Sequence, residues 1–117
     1  KDHMAIVCTA AAVKSMIAGQ SPSGGVARYN NDKYMLSKAY TGNPWHVCTL
    51  WLAQYYIWSG DVEEAKKLID WTSSHALKNG VMSEQIDPET GSEIGVAPLV
   101  WSHAELINTL LDLNSVL

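Results

Sequence analysis

A glutamate in a predicted loop, Glu84, is the residue best suited to do chemistry in this sequence. It lies in the segment Met82-Ser83-Glu84-Gln85, just past a predicted helix end, and the amide of Gln85 can orient either its carboxylate or a water molecule. A carboxylate in this setting suits acid–base chemistry on a neutral polar substrate such as a sugar, with hydrolysis as the leading reaction. A lone loop glutamate is more often a solvated surface residue, so the prediction depends on its companions.

Those companions are a cation and several flat aromatic side chains. Arg28, the only arginine, carries a rigid fork of donors that suits adjacent sugar hydroxyls. Tyr29, Trp45 and Trp101 offer apolar faces for the C–H side of a sugar ring. Core packing at a helix start is the competing interpretation for Trp45 and Trp101. We therefore take Arg28 as the firmest of these four binding candidates.

The sequence gives little support for a metal. Cys8 and Cys48 lie in apolar predicted helices, where small buried thiols are common, and they share no C-x-x-C spacing. The histidines form no H-x-x-x-H pair for zinc. Calcium at the acidic loop residues is disfavoured, because the segment 87–91 reads as a turn and lacks a calcium-loop pattern. We expect no metal and no cofactor.

Charge and composition exclude several classes of partner. The formal net charge is −4 over 117 residues, which leaves no basic face for a nucleic acid. No apolar run is long enough to cross a membrane, and the start of the chain lacks the pattern of a signal peptide. The 47% hydrophobic content is sufficient for the core of one domain. We expect a soluble chain, with a cytoplasmic location favoured.

Four predicted helices must position these residues. Capping residues, prolines and glycines place these helices from about Asp2 to Ala18, from Asn43-Pro44 to Gly60, from Asp61 to Asn79-Gly80, and from about Ala97-Pro98 to the C-terminal end. The first has the pattern of a partly buried helix. The third carries one apolar stripe. Glu63 can pair with Lys67 on its solvent-exposed face, and Trp71 lies near that face. Beta-branched alternating runs are absent, so we predict an all-α fold.

The connections between these helices predict where the site lies. The second and third helices meet at Gly60-Asp61 and form an antiparallel hairpin, whereas residues 19–42 and 80–97 form long loops. In an up-down arrangement both loops open at the same end of the molecule. The second helix is apolar all round, with Trp51 and Trp58 predicted in the core, so it needs neighbours on every side. The chain is therefore expected to be part of something larger or to self-associate.

Several motifs in order resemble those of the glucoamylase family of glycoside hydrolases, family 15. The resemblance runs from about Asp2 to Leu113. It rests on these segments: Gly24-Gly25-Val26-Ala27-Arg28-Tyr29 with Asp32 and Tyr34, Gly42-Asn43-Pro44-Trp45 with Cys48-Thr49-Leu50, Met82-Ser83-Glu84-Gln85, and Pro98-Leu99-Val100-Trp101-Ser102-His103-Ala104-Glu105.

The resemblance implies an (α/α)6 barrel that hydrolyses α-glucosidic bonds with inversion. It places Glu84 at the general base, which activates water, and puts the general acid upstream, in a part of the barrel that this sequence does not contain. The acidic residues available as stand-ins lack the context of that acid: Asp32, Asp87, Glu89, Glu93 and Glu105. Residues 1–117 are then the C-terminal segment of the catalytic domain, inactive alone, whose partners are an α-glucan or glucoside and either the missing N-terminal part or another copy.

Three functional readings stay open. The first is an exo-acting α-glucosidase acting on starch-like glucans, with trehalose or dextran as alternative substrates. The second is a carbohydrate-binding module without catalysis, which the absent general acid keeps possible. The third is a helical interaction domain. The polar groups predicted at one end of the helices, above all Glu84-Gln85 and Arg28-Tyr29, argue against the third.

Overall fold

The computed structural model describes residues 3–36 and 39–117 and contains four helices and one small sheet in that part of the chain. The helices are α1 (His3–Met16), α2 (His46–Ser59), α3 (Val62–Ser74) and α4 (Val100–Val116), and β1 (Gln85–Ile86) pairs antiparallel with β2 (Glu93–Ile94). The all-α prediction with two long loops is confirmed. The helix start predicted at Asp2 lies outside the described residues.

The α2–α3 hairpin forms as the Gly60-Asp61 pair predicts. Gly60 ends α2 in the left-handed conformation, with φ of 87°, which glycine adopts without steric cost. Asp61 then caps α3, because its side chain accepts a hydrogen bond from the backbone N–H of Glu64 at 3.4 Å. Glu63 pairs with Lys66, and Glu64 with Lys67, instead of the predicted Glu63–Lys67 pair. Each pair joins residues three apart on one exposed face.

The core lies around α2, which packs against both α3 and α4. Leu50 and Ala53 of α2 are fully buried and meet Ile69 of α3. Helix α1 is less buried than predicted, since none of its residues is buried and its Cys8 is exposed. Trp51 and Trp58, predicted in the core, are 47% and 51% exposed. Trp58 stacks on His3 of α1 and Trp51 lies edge-on to Trp101 of α4, but these contacts leave about half of each side chain exposed.

All four helices have a boundary that differs from the prediction; α1 ends at Met16 instead of Ala18, and α4 begins at Val100 instead of near Pro98. Helix α2 begins at His46, because Trp45 is extended, and Asn43 uses its side chain for other contacts described below. Helix α3 ends at Ser74 and not at Asn79. There the backbone N–H of His75 donates to the carbonyl of Trp71, and Leu77 turns to bond Val81 at 2.8 Å. The Asn79-Gly80 signal marks that turn instead of a helix end.

Main-chain hydrogen bonds join the two long loops in what we call the four-segment array, made of residues 26–27, 44–45, 85–86 and 93–94. Ala27 pairs with Pro44, Trp45 with Gln85, and Gln85 with Ile94, all antiparallel. The array stands directly before α2, and residues 82–83, which precede its third segment, are fastened to the start of α4 as described below. The predicted meeting of both loops at one end of the helices is therefore confirmed.

Candidate active site

The segment that carries Glu84 is fastened to the first turns of α4. The backbone N–H of Leu99 donates to the carbonyl of Met82 at 2.9 Å, and the Ser102 hydroxyl donates to the carbonyl of Ser83 at 2.8 Å. The backbone N–H of Met82 donates to Nε2 of His103 at 3.1 Å, which leaves the proton of a neutral ring on Nδ1. Three bonds thus fix the backbone just before the carboxylate.

The Glu84 side chain is half-buried and lies over the backbone of Gly95. A Cβ atom added to Gly95 would come within 2.8 Å of Glu84 Oε2, so a larger residue there would displace the carboxylate. The backbone N–H of Glu84 donates to the carbonyl of Val96 at 3.0 Å. Gln85 Nε2 donates to Glu84 Oε2 at 2.9 Å. A carboxylate held this way can accept a proton while its position stays fixed.

Gln85 is itself held by a second buried amide. Its Oε1 accepts a hydrogen bond from Asn43 Nδ2 at 3.0 Å, and Asn43 Nδ2 also donates to the carbonyl of Met35 at 2.8 Å. Gln85 is fully buried and Asn43 is 1% exposed. The carboxylate of Glu84 is therefore connected, through two side chains shielded from water, to the loop that follows Arg28.

Arg28 lies at the other edge of the four-segment array, in a cluster of aromatic rings. Its Nε and Nη2 atoms donate to the two oxygens of Asp32 at 2.9 and 3.0 Å. Its Cζ atom lies 5.0, 5.2 and 4.7 Å from the ring centroids of Tyr29, Tyr34 and Trp45. Such distances are typical of cation–π contacts. The guanidinium is oriented by Asp32, while its side chain stays 37% exposed for a ligand.

The charges of this cluster stabilise each other. Burial alone would raise the pKa of Asp32, but hydrogen bonds from Arg28 and from the Tyr34 backbone N–H outweigh it and hold the pKa below its usual value. The hydrogen bond to Asp32 likewise raises the pKa of Arg28. Asp32 is therefore an ionised partner of Arg28, which makes it unsuited to the general-acid role for which it was an available stand-in.

Trp101 and Cys48 both lie near Trp51 of α2. Trp101, in the first turn of α4, is 48% exposed and meets Trp51 edge-on, with centroids 5.7 Å apart. Cys48 lines the same groove between α1 and α2 as Arg28 and Trp51 do. Burial raises the pKa of Cys48 to about 11, which keeps it a thiol.

The structure thus brings Arg28, Tyr29 and Trp45 into one cluster, which the four-segment array joins to Glu84 and Gln85. Within residues 3–36 and 39–117, no three His, Cys, Asp or Glu side chains converge on a metal position. No helix in those ranges is both long and apolar enough to span a bilayer. The chemistry that these residues can supply is proton transfer and hydrogen bonding to a polar ligand.

Trp71, to which the sequence analysis assigns no role, holds the first loop against α3. Its Nε1 donates to the carbonyl of Ser23 at 2.6 Å, and its ring fills the space beside Gly24 and Gly25. The ring also packs between His75 and His46, at centroid distances of 4.5 and 5.7 Å. The glycine pair before Arg28 was the available signal, because adjacent glycines permit such close approach to an aromatic ring.

Asn43 is the other residue whose role sequence reasoning missed. The signal was present, since an asparagine lies between a glycine and a proline just before a helix. The pattern is typical of a helix cap, and that interpretation concealed the long-range contact with Gln85.

Comparisons with known proteins agree with one another. A family model described as glycosyl hydrolases family 15 matches residues 61–111. A protein of Methanocaldococcus jannaschii, described as an uncharacterised glycosyl hydrolase, is 31% identical over an alignment of 107 residues that covers 80% of this chain and 16% of that protein. A trehalase of Mycolicibacterium smegmatis is 31% identical over 65 residues, which are 56% of this chain and 10% of that protein.

The structural neighbours give the same answer. A bacterial glucoamylase complexed with acarbose superimposes on 97% of this chain with a TM-score of 0.78 and 27% identity, and the match covers 18% of that glucoamylase. This chain therefore spans only a small part of the length of each of these relatives, and its four helices correspond to part of an (α/α)6 barrel. By family model, relatives and fold together, this chain belongs to glycosyl hydrolase family 15.

Proposed function

We propose that this chain is the C-terminal segment of a glucoamylase-like catalytic domain and that it supplies the general base and part of the sugar cleft. The observation that carries the proposal is the Glu84 carboxylate, held by Gln85 Nε2 at 2.9 Å on the same loop array as the Arg28 cluster. An inverting glycosidase needs one carboxylate to accept a proton from the attacking water. Glu84 takes that part.

Each remaining site residue has a role that follows from its chemistry. Water attacks the anomeric carbon as its proton passes to Glu84, and the bond to the leaving oxygen breaks on the opposite face of the sugar. Gln85 keeps the carboxylate oriented. Arg28, fixed by Asp32, donates to sugar hydroxyls, while Tyr29, Trp45 and Trp101 contact the apolar side of sugar rings.

The general acid comes from elsewhere in the whole enzyme. It must lie about 6.5–9.5 Å from Glu84, so that a water molecule fits between the base and the sugar. Asp32 is committed to Arg28 by two hydrogen bonds, and the context of the other acidic residues named above gives no support for this role. We therefore expect the 117-residue chain alone to bind sugar weakly and to release no glucose.

Two substrate classes remain, and each has a relative in its favour. The match to a glucoamylase bound to acarbose favours exo-acting hydrolysis of α-1,4-linked glucans with release of glucose. The sequence relatives named trehalases favour trehalose. Both substrates are α-glucosides, so the same base and the same arginine serve either reaction. Rates on maltose, soluble starch and trehalose with the full-length enzyme that contains this chain distinguish them.

The first prediction tests the base directly. Glu84→Gln in that full-length enzyme should lower kcat by roughly 10²–10⁴-fold and leave sugar affinity within a few-fold, because the amide keeps its shape but cannot accept the proton. Steady-state kinetics and calorimetric binding of acarbose measure the two quantities. Glu93→Gln, an identical change at an exposed position of β2, is the matched control. Normal turnover in Glu84→Gln would remove Glu84 from the mechanism and leave a binding role as the better reading.

A further inference from the structure

We infer that Asn43 is a positioning residue for the reaction, acting on Glu84 through Gln85; this inference rests on the proposed role of Glu84 as base. Asn43 does not touch the Glu84 carboxylate. Its buried amide donates to Gln85, and Gln85 donates to Glu84. The three side chains form a relay that begins at the carbonyl of Met35.

The direction of each amide in the relay is dictated by the main chain. A backbone carbonyl only accepts hydrogen bonds, so the Asn43 atom 2.8 Å from the Met35 oxygen must be the Nδ2 donor. The same Nδ2 lies 3.0 Å from Gln85, which must therefore present its Oε1 acceptor. Gln85 then necessarily turns its Nε2 donor toward Glu84. Without Asn43, nothing in this chain of contacts would distinguish the two amide orientations of Gln85.

The alternative orientation would oppose catalysis. If the Gln85 amide turned over, its carbonyl oxygen would face the Glu84 carboxylate at about the present 2.9 Å separation, acceptor against acceptor. The carboxylate would move away from that oxygen and out of its position over Gly95. A displacement of about 1 Å from the reacting geometry can cost about 10²-fold in rate.

Burial makes this control effective. Asn43 and Gln85 are 1% and 0% exposed, so water cannot replace a missing partner cheaply. Met35 adopts a left-handed backbone conformation, with φ of 52°, which is uncommon for a residue other than glycine. That conformation belongs to the turn after Arg28, whose aromatic partner Tyr34 is the preceding residue. The relay therefore connects the arginine cluster to the base.

Asn43→Asp tests the inference with little change in shape. An aspartate cannot donate to Gln85, so the Gln85 amide should turn its Nε2 toward residue 43 and its oxygen toward Glu84. In the full-length enzyme we expect kcat to fall about 10- to 100-fold and KM to change less than about threefold. Asn79→Asp is the matched control, because its exposed side-chain oxygen accepts from Val81 N–H in either form. A kcat within about twofold of the parent, or a raised KM with unchanged kcat, would overturn the inference.

Gln85→Glu tests the same inference without changing Asn43. In Gln85→Glu, a carboxylate oxygen can still accept the hydrogen bond from Asn43, and the contact between Asn43 and Met35 is unchanged. The second carboxylate now faces Glu84, so this variant should show the same loss in kcat. If Asn43→Asp does not fold, as judged by circular dichroism, normal kcat in Gln85→Glu still contradicts the inference.

In a Glu84→Gln background, Asn43→Asp should cause no further loss, because the group on which it acts is gone. A full additional 10-fold loss there would mean that Asn43 acts elsewhere and would overturn the inference. Failure of Glu84→Gln itself to lower kcat contradicts the proposed function, whereas a loss in Glu84→Gln with normal Asn43→Asp contradicts the relay alone.

Discussion

Two carboxylates of the candidate site are held in different ways, and the difference separates their roles. Asp32 uses both oxygens to bind Arg28 and is 1% exposed. Among the described residues, Glu84 receives a side-chain hydrogen bond from Gln85 alone, on Oε2, and lies far from full burial. Asp32 therefore acts as a fixed countercharge, whereas Glu84 keeps one oxygen able to take a proton from a ligand or from water.

His46, at the start of α2, gives a prediction about acid stability. Burial, with smaller contributions from His75 and His103, lowers its pKa from 6.5 to about 4. Its ring nitrogens have no hydrogen-bond partner within the described part of the chain. The unfolded chain therefore binds this proton more readily than the folded chain between about pH 6.5 and 4. Stability is fully present above pH 6.5 and is lost as the pH falls through that window.

Urea unfolding should show a free energy of unfolding lower by about 2 kcal/mol at pH 5 than at pH 7.5 from this group. His46→Leu, which cannot be protonated, should remove most of that difference. An equally steep pH dependence in His46→Leu would assign the effect to other residues. Asp32 is separable, since its contribution is lost only below its unfolded-state pKa of 3.8.

At the scale of elements, α3 supports the site without contributing to its chemistry. Trp71 of α3 bonds Ser23 of the first loop, and His75 packs against Gly91 of the second. The backbone N–H of Ser23 also donates to the carbonyl of Pro88 at 3.0 Å, joining the loops directly. Helix α3 thus holds together the two loops that carry Arg28 and Glu84.

Gly25→Ala should disrupt this support. Gly25 has φ of 72°, and an added Cβ would overlap the Trp71 ring and come 2.9 Å from Pro44 Cβ. Gly19→Ala is the matched control, because Gly19 has φ of 63° but nothing within 4 Å of the added atom. Both variants carry the same backbone strain, so thermal or urea unfolding should show Gly25→Ala less stable than Gly19→Ala by roughly 1–3 kcal/mol. Equal stabilities would mean that the Trp71 contact yields freely.

Local signals predicted the elements better than they predicted the contacts between loops. The Gly60-Asp61 junction and the four helices follow from capping residues and apolar periodicity. Asn43 and Trp71 could not be assigned, because each takes its partner from more than 40 residues away. The prediction that Trp51 and Trp58 lie in the core was wrong. Helical periodicity shows which residues are apolar but not which neighbouring element covers them.

At the scale of the whole molecule, the apolar surface of this chain exceeds what its own helices cover. The outer faces of α1 and α4 expose large side chains, as do Trp51 and Trp58 of α2; the most exposed large apolar residues of α1 and α4 are Met4, Val100, Ile107 and Leu111. A contiguous apolar patch of more than a few hundred Å² usually marks an interface. The rest of a barrel, absent from these 117 residues, would supply such cover.

The isolated chain should therefore associate. Sedimentation velocity across a concentration series is expected to show oligomers, and a dye that binds exposed apolar surface should fluoresce with it. Replacing Ile107 and Leu111 together by glutamine should shift the series toward monomer with little change in unfolding free energy, because both side chains are already exposed. A cooperatively folded monomer at high concentration, without dye binding, would contradict this. Glucose release from maltose by that monomer would contradict the fragment assignment altogether.

The four-segment array has a consequence for how such a site can diversify. Its pairings are made by backbone N–H and carbonyl groups, as between Trp45 and Val26 and between Ile86 and Pro44, both at 2.9 Å. Main-chain bonds persist whatever side chain an exposed position carries, provided that the buried residues stay the same. Under the proposed function, the exposed side chains proposed to contact sugar can therefore be exchanged one at a time while the Glu84 carboxylate keeps its place. Under that function, a change in the accepted glucoside would then require no rearrangement of the backbone.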